Sequence, residues 1–377
     1  MTKTHLVLFF TKGVSLKTWD NVGMFEREVA LYRRLQEHGV QVSFVTYGHA
    51  SDQAYADRLP GMRILCNRWR LSASRYARLL PLLHAPYLWR AGVFKTNQTG
   101  GAEIALRVAR FHHKRLIVRC GYMRSLNMRI WREQGCPDAD TLIREAEETE
   151  REVFREADRV VVTTSALKAY AVEQYQLPQS KVRVIPNYVL TDLFQPDPEM
   201  STPDNRLCFI GRLEAIKNLP NLFEAIQGLD IELWMIGEGS LRQPLAEQAC
   251  QLGLNVRFLG RVPHHQLPTY LNSCDLYVQP SLIEGHPKTI LEAMSCGLPV
   301  IGGDAPGVRD LIKHGETGYL CGTSSQEIRA AICTVLDNNV MRHRLGRQAR
   351  QFVVEQFSLP RVLELELTLY EDLLANG

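Results

Sequence analysis

Along the first half of the chain, short apolar runs alternate with longer amphipathic stretches. HLVLFF (5–10), VQVSFVTY (40–47), RLIVRC (115–120), RVVVTT (159–164) and VRVIP (182–186) predict strands. Between the first two, MFEREVALYRRLQEHG sets Phe25, Val29, Tyr32 and Leu35 at helical spacing, and Gly39 stops the helix. Strand, helix, strand is a βαβ unit, and parallel strands buried on both faces read as near-continuous apolar runs. The second half repeats the logic in RLCFIG (206–211), IELWMIG (231–237), VRFLG (256–260), LYVQP (276–280) and PVIGG (299–303). The polar, proline-containing QPDPEMSTPDN (195–205) reads as a linker. The pattern predicts an α/β protein of two Rossmann-like domains, 1–195 and 196–359, whose parallel sheets face a central cleft. A final helix, 360–377, is free to pack back on the first. Ligands of open parallel sheets bind beyond the carboxyl ends of the strands, so the cleft is the expected site.

Composition narrows this picture. A length of 377 residues suits two domains at roughly 150 each, and 45% hydrophobic with 23% charged residues excludes a disordered or collagen-like chain. No apolar run approaches the roughly 20 residues that span a bilayer. LVLFF (6–10) is too short for the apolar core of a secretory signal. Nine cysteines with no C-x-x-C pair read as reduced thiols, which points to the cytoplasm. The net charge of +3 hides an asymmetry: residues 1–190 carry 29 Lys and Arg against 18 Asp and Glu, and residues 191–377 carry 15 against 23. Within the basic half, 58–102 holds eight cations, Lys95 among them, and no carboxylate, interleaved with Trp69, Tyr76, Tyr87 and Trp89. That stretch suits a solvated face, peripheral contact with an anionic membrane on its inner surface, or an anionic acceptor such as a lipid diphosphate. Nucleic acid is not expected, because no nucleic-acid module accompanies it.

The chemistry concentrates in SLIEGHPKTILEAMSCGLPVIGG (281–303). After a strand, the turn Glu284-Gly285-His286 leads into a helix with Pro287 expected at its first position, where a missing N–H costs nothing. Free amides near Lys288 and Thr289, at the positive end of the helix, form an anion site that suits phosphate. Glu284 and Glu292 flank that site with seven residues between them. Two carboxylates beside a phosphate are tolerable if they accept hydrogen bonds from hydroxyls, which suggests a nucleotide sugar. In FIGRLEAIKN (209–218), Arg212 and Lys217 follow a strand and are suited to neutralising a diphosphate.

KVRVIPNYVLTDLFQP, IGRLEAIKN, MIGEGSLR, VRFLGRVP, DLYVQPSLIEGHPKTILEAMSCGLPVI and GVRDLI, in this order over about 180–320, resemble glycosyltransferase family 4, retaining enzymes of the GT-B fold. The resemblance implies that Glu284 faces the donor sugar, Glu292 binds the ribose, and Arg212 and Lys217 hold the diphosphate. It further implies that Gly285, His286 and Pro287 line the sugar pocket and that Arg261 and Val262 lie near the base. A UDP-sugar donor is favoured by the same analogy, with no metal and no other cofactor. The N-terminal half resembles the family in architecture. The glycine-rich loop after the first strand is reduced to Gly13 and Gly23, of which Gly23 is the donor-side candidate, and the Gly-Gly of 100–103 follows a different strand. Where the family often has a histidine, RLIVRCGYM has Cys120 before Gly121, so no histidine base is assigned. A front-face reaction, in which the leaving phosphate accepts the acceptor's proton, does without one.

Asn97, Arg119, Cys120 and Arg124, near predicted strand ends, are the acceptor-side candidates, although Cys120 also reads as a buried small hydrophobe. The pairs His112-His113 and His264-His265 point in different directions and do not make a metal pair, and Asp138-x-Asp140 reads as a helix start. The expected function is transfer of a hexose-type sugar from a nucleoside-diphosphate sugar to an acceptor hydroxyl, in glycan or glycolipid biosynthesis. A phosphorylase, epimerase or hydrolase on the same frame, or a non-enzymatic membrane- or nucleic-acid-binding protein, are the alternatives.

Overall fold

Seven strands, β1 (His5–Phe9), β2 (Gln41–Val45), β3 (Arg63–Leu65), β4 (Val93–Thr96), β5 (Arg115–Cys120), β6 (Arg159–Val162) and β7 (Val182–Val184), form one parallel sheet in the order β3-β2-β1-β4-β5-β6-β7. Six more, β8 (Arg206–Ile210), β9 (Glu232–Ile236), β10 (Asn255–Gly260), β11 (Leu276–Gln279), β12 (Val300–Gly303) and β13 (Tyr319–Cys321), form a second in the order β10-β9-β8-β11-β12-β13. The order reverses between β1 and β4 in the first sheet and between β8 and β11 in the second. Loops leaving neighbouring strands diverge at such a point and open a crevice above the strand ends. The computed structural model describes residues 4–133, 138–200 and 205–375.

The chain divides into two compact units at Pro186/Asn187 and again at Val362/Leu363. The first boundary lies ahead of the proline-rich stretch at 195–205 because 187–194 is not a linker: Val189 and Phe194 are buried in the core of the second unit. Arg350 fastens this segment by donating to the carbonyls of Thr191 and Phe194. The last helix, Leu359–Ala375, belongs to the first unit from Leu363 onward. Both sheets have apolar strands and amphipathic helices on their faces, as in Phe25–Glu37, which buries Phe25, Val29, Leu31, Tyr32 and Leu35.

Three strands were not expected from the pattern, β3, β4 and β13. Of these β4 is central, paired to both β1 and β5. Its sequence, VFKT, carries a lysine where a buried strand should be apolar. Lys95 is 1% exposed and ion-paired with Glu366 of the last helix, which is 0% exposed, at 2.5 Å. The basic stretch 58–102 is therefore not one solvated face, because one of its eight cations is neutralised inside the core. Burial also settles Cys120. It is 0% exposed in the first unit's core, its thiol is pushed up by burial, and it packs as a small hydrophobe that cannot meet an acceptor. The eight cysteines among the described residues are free thiols, and Cys136 lies outside those residues. Among the described residues no helix is long and apolar enough to cross a membrane.

Candidate functional site

The residues singled out in the second half converge where the second sheet reverses. β8 runs into the loop carrying Arg212, a single 3-10 turn at Ala215–Lys217, and Asn218, which takes a left-handed conformation with φ 57°. Asn218 donates from its side chain to the Thr323 carbonyl at 2.8 Å, and Lys217 is held at 9% exposure. Neighbouring β11 runs into Ser281 and Glu284, and the Leu282 amide donates to the Ile216 carbonyl at 2.9 Å, tying the two loops together. Gly307 closes the far side. Its φ is +80°, and a Cβ there would sit 2.1 Å from the Glu284 carbonyl oxygen, so only glycine fits.

Within this frame Lys217 Nζ donates to Glu284 Oε1, and both side chains are 11% exposed. Gln279 Nε2 donates to the same oxygen at 2.6 Å and Ser281 Oγ at 2.7 Å. The Gln279 amide is oriented from behind, because its Oε1 accepts from Tyr277 at 2.6 Å and from Thr289 at 3.0 Å. With the carbonyl side occupied by two hydroxyls, the NH2 must face Glu284. Burial pushes the Tyr277 phenol well up, so it stays a neutral donor. All three donors fall on Oε1, and among the described residues none reaches Oε2. Arg212 is exposed and has no ion pair among the described residues. Glu284, Lys217 and Arg212 thus offer one carboxylate oxygen and two cations at one pair of strand ends.

The helix Lys288–Ser295 follows, one residue later than expected. Pro287 is its N-cap and not its first residue, so the first amides of the helix are those of Lys288 and Thr289. Glu292 lies three residues on from Thr289, on the same face. It is 2% exposed, and its Oε1 is 2.8 Å from His264 Nε2. His264 was passed over in the sequence because adjacent histidines make a poor metal pair, but it acts singly as a partner of Glu292. Arg261 is exposed and Val262 half-buried in the loop that leads to it. His286 has a buried ring, 5.5 Å from that of Phe357, and its carbonyl accepts from Asn187 at 2.9 Å. Gly285 is half-buried in the turn before it.

Other candidates fall in the first unit. Gly23 is an exposed turn glycine with φ +71° ahead of Phe25–Glu37, and nothing in its own unit marks it as a ligand contact. Asn97 follows β4 and donates its amide to the Phe9 carbonyl at 2.8 Å. Arg119 lies in β5, its amide bonded to Thr96 Oγ1 at 3.0 Å and its guanidinium to the Ile185 carbonyl at 3.4 Å. Arg124 opens a helix after β5 with its side chain exposed. Asp138 precedes the helix Ala139–Glu156 without capping it through its side chain, and Asp140 pairs with Arg132 at 3.4 Å.

The residues missed in the sequence were Gln279, Ser281, Tyr277 and His264. A glutamine closing an otherwise apolar strand, and a serine three residues before Glu284, were the available signals.

Two family models match the chain, "Glycosyl transferases group 1" over residues 192–352 and "Glycosyl transferase 4-like domain" over residues 24–188. N-acetyl-alpha-D-glucosaminyl L-malate synthase of Bacillus anthracis is 28% identical over 183 residues, 47% of this chain and 48% of that protein. The matched part spans about half to three-fifths of the curated relatives' length. Among solved structures, Anabaena Alr3699/HepE in complex with UDP and glucose superposes with a TM-score of 0.77 at 18% identity, over 97% of this chain and 99% of that one. Sucrose-phosphate synthase (tll1590) from Thermosynechococcus elongatus gives 0.80 at 19% identity, over 99% of this chain and 100% of that one. These two likenesses speak for the fold, the GT-B arrangement of two parallel-sheet α/β domains. With both family models placed end to end along the sequence, and the strand-end group of Arg212, Lys217 and Glu284 at the reversal of the second sheet, the chain belongs to glycosyltransferase family 4.

Proposed function

We propose that this protein is a retaining glycosyltransferase that moves a hexose-type sugar from a nucleoside-diphosphate sugar to an acceptor hydroxyl. The observation that carries the reading is the Glu284 carboxylate, held through one oxygen by Lys217, Gln279 and Ser281 with the other oxygen open. In the resting protein Lys217 and Glu284 satisfy each other. A donor diphosphate is a stronger partner for Lys217 than a single carboxylate and draws its ammonium away, with the exposed Arg212 as second cation. Glu284, still fixed by Gln279 and Ser281, then accepts from sugar hydroxyls and orients the anomeric carbon. As the glycosidic bond to phosphate breaks, negative charge grows on the leaving diphosphate, where Lys217, Arg212 and the first amides of the helix Lys288–Ser295 stabilise it. The departing phosphate takes the acceptor's proton on the same face, which keeps the anomeric configuration. Glu292 and His264 anchor the nucleoside end. The reading calls on no metal, because the two cations balance the diphosphate.

A uridine nucleotide is the favoured donor, in keeping with the Anabaena protein's complex with UDP and glucose. The test is a melting-temperature panel of UDP, GDP, ADP and their sugars, followed by turnover with the sugar that shifts it and NMR of the product anomer. Lys217→Ala and Glu284→Gln should each lower kcat by at least about a hundredfold, the range seen when a transition-state charge contact is removed. Near-normal turnover in both sinks the assignment, and an inverted product sinks the stereochemistry alone.

The acceptor is assigned to the first unit, and peripheral contact with an anionic membrane belongs to the same proposal. Trp89 is 76% exposed and Leu82 61%, beside the exposed Arg75, Arg78 and Arg90, a pairing of interfacial aromatic and cation that suits anionic lipid. Co-sedimentation with phosphatidylglycerol vesicles that survives Trp89→Ala and Arg90→Ala together would overturn that part.

A further inference from the structure

A cavity of about 270 Å³, lined in part by charged side chains, lies at the reversal of the first sheet. It is framed by the segments leaving three strands, Thr11 and Lys12 after β1, Thr99–Gly101 after β4, and the helix start Arg124 after β5, with Ala146, Thr149 and Glu150 of the helix Ala139–Glu156 on one side. Its volume is below the roughly 300–1,000 Å³ of pockets that enclose drug-sized ligands, so it suits a small headgroup and not a nucleotide.

The loops are brought together by the Lys12 amide, which donates to the Gly100 carbonyl at 3.0 Å. Gly101 has φ +90°, and a Cβ there would come within 3.0 Å of the Lys12 backbone. Behind it begins the helix Ala102–His112, whose Ala102 and Ile104 amides are already donated to the carbonyls of Thr99 and Gly101, both at 3.0 Å, so the cations and not the helix end mark this space. Lys12 and Arg124 both line the cavity, and among the described residues neither makes an ion pair. Thr99 adds a hydroxyl that faces this space. It is only 7% exposed, it lines the cavity, and among the described residues nothing hydrogen-bonds its hydroxyl.

Two carboxylates touch this space, and they differ. Glu150 is spent: Oε1 accepts from the amides of Arg124 and Ser125 at 2.9 and 3.3 Å, and Oε2 from Tyr175 at 2.6 Å. Glu103, half-buried in the first turn of the helix, accepts no hydrogen bond among the described residues. A bare carboxylate beside two cations repels an anion unless the ligand also brings hydroxyl donors for it.

We propose that this cavity binds the headgroup of a phosphorylated polyol, with Lys12, Arg124 and Thr99 on the phosphate and Glu103 on a neighbouring hydroxyl. The inference rests on the assignment of the acceptor to the first unit and names the acceptor's chemical class. Calorimetric titration of the whole protein tests it, in the presence of a saturating nucleoside diphosphate chosen from the melting panel, so that the donor phosphate position is filled. The probes are inorganic phosphate, sn-glycerol 3-phosphate and glycerol. Glycerol 3-phosphate should bind at least tenfold more tightly than inorganic phosphate, and glycerol should give no signal. Lys12→Ala with Arg124→Ala should weaken both phosphates at least tenfold at an unchanged melting temperature. Glu103→Gln should bring glycerol 3-phosphate down toward inorganic phosphate without moving the latter. Phosphate binding that ignores the double variant, or none at all while the nucleotide still binds, overturns the cavity and leaves the donor reading standing. If no nucleotide binds, the titration without it still reads the cavity, and the donor reading is what fails. Equal affinity for the two phosphates overturns the polyol.

Discussion

The buried pair of Lys95 and Glu366 makes the sharpest stability prediction. Lys95 sits in the central strand β4, and Glu366 comes from the last helix, 271 residues away in sequence. The ammonium donates to Glu366 Oε1 at 2.5 Å, and the Tyr370 hydroxyl donates to Oε2 at 2.6 Å, so both carboxylate oxygens are engaged. Glu366→Ala leaves an ammonium in the core with no counter-charge. Removing one partner of such a pair costs about 3–5 kcal/mol, and an orphaned phenol adds about 1–3 kcal/mol where no water reaches it. Set against a total stability of about 5–15 kcal/mol, the single change should nearly unfold the first unit. The double variant Lys95→Met/Glu366→Leu removes both charges and should recover most of the loss, because desolvation of the pair offsets much of its attraction. Urea unfolding followed by tryptophan fluorescence reads this well, since Trp19, Trp69, Trp89 and Trp131 precede the first boundary and only Trp234 follows it. A loss below about 1 kcal/mol for Glu366→Ala would refute the reasoning, and so would a double variant as damaged as the sum of the singles. Acid gives a second reading. Burial alone would raise the Glu366 carboxyl, but Lys95, Arg119 and the hydrogen bonds to Lys95 and Tyr370 outweigh it and hold it below its usual value. Its contribution is therefore complete above the ordinary carboxylate range and is lost as pH falls through the lowered value, a slope that Glu366→Gln should remove.

Three further outcomes are expected. His84, buried and bonded to the Tyr76 hydroxyl at 2.9 Å, is brought down to about 4 by burial first and by Arg68 second. The unfolded chain takes up a proton near pH 6.5 that the folded protein refuses, so roughly 3 kcal/mol should be lost between pH 6.5 and 4; an NMR titration placing His84 near 6.5 would contradict it. Gly307→Ala should cost more than about 1 kcal/mol, from a side chain at φ +80° and a clash with the Glu284 carbonyl, and a variant with wild-type melting and turnover would show that the loop does not set Glu284. Gln279→Leu should lower kcat more than it raises KM, because Glu284, once Lys217 has moved to the diphosphate, is left with Ser281 as its one orienting donor; a change confined to KM would mean that Gln279 touches only the ground state.

Much of the second unit was legible because its ligands are close together in sequence. Gln279, Ser281, Glu284 and Thr289 come from one strand end, one turn and one helix start, so a local reading finds their neighbourhood even where it misses members. Local reading failed where a side chain's meaning depends on a distant partner. Lys95 looks like a surface cation in VFKT until Glu366 is brought against it, and with it the central strand went unseen. His264 looked like half of a poor metal pair until Glu292 was set 2.8 Å away. The boundary at Pro186 was hidden for the same reason, since only burial of Val189 and Phe194 shows that 187–194 belongs to the second core.

The same contrast bears on specificity. Both sheets reverse once, and in both the polar side chains gather on segments leaving the strands around that point. In the second unit Gln279, Ser281, Glu284 and Thr289 come from one contiguous segment, and on the proposed reading a change within it disturbs the diphosphate and sugar contacts together. In the first unit the cavity draws Lys12, Thr99 and Arg124 from two loops and a helix start, each following a different strand of the sheet. Such a site can exchange one contact without moving the others, because the strands and not the loops fix the geometry. Substitutions there should therefore shift acceptor preference in separable, nearly additive steps, whereas those around Glu284 should be strongly non-additive. A double-mutant cycle of Lys12→Ala with Arg124→Ala, measured as acceptor kcat/KM, should give a coupling below about 0.5 kcal/mol. The cycle of Gln279→Leu with Ser281→Ala should exceed it, because both donate to one oxygen of Glu284. Equal coupling in the two cycles would mean that the first unit's site is as interlocked as the second's.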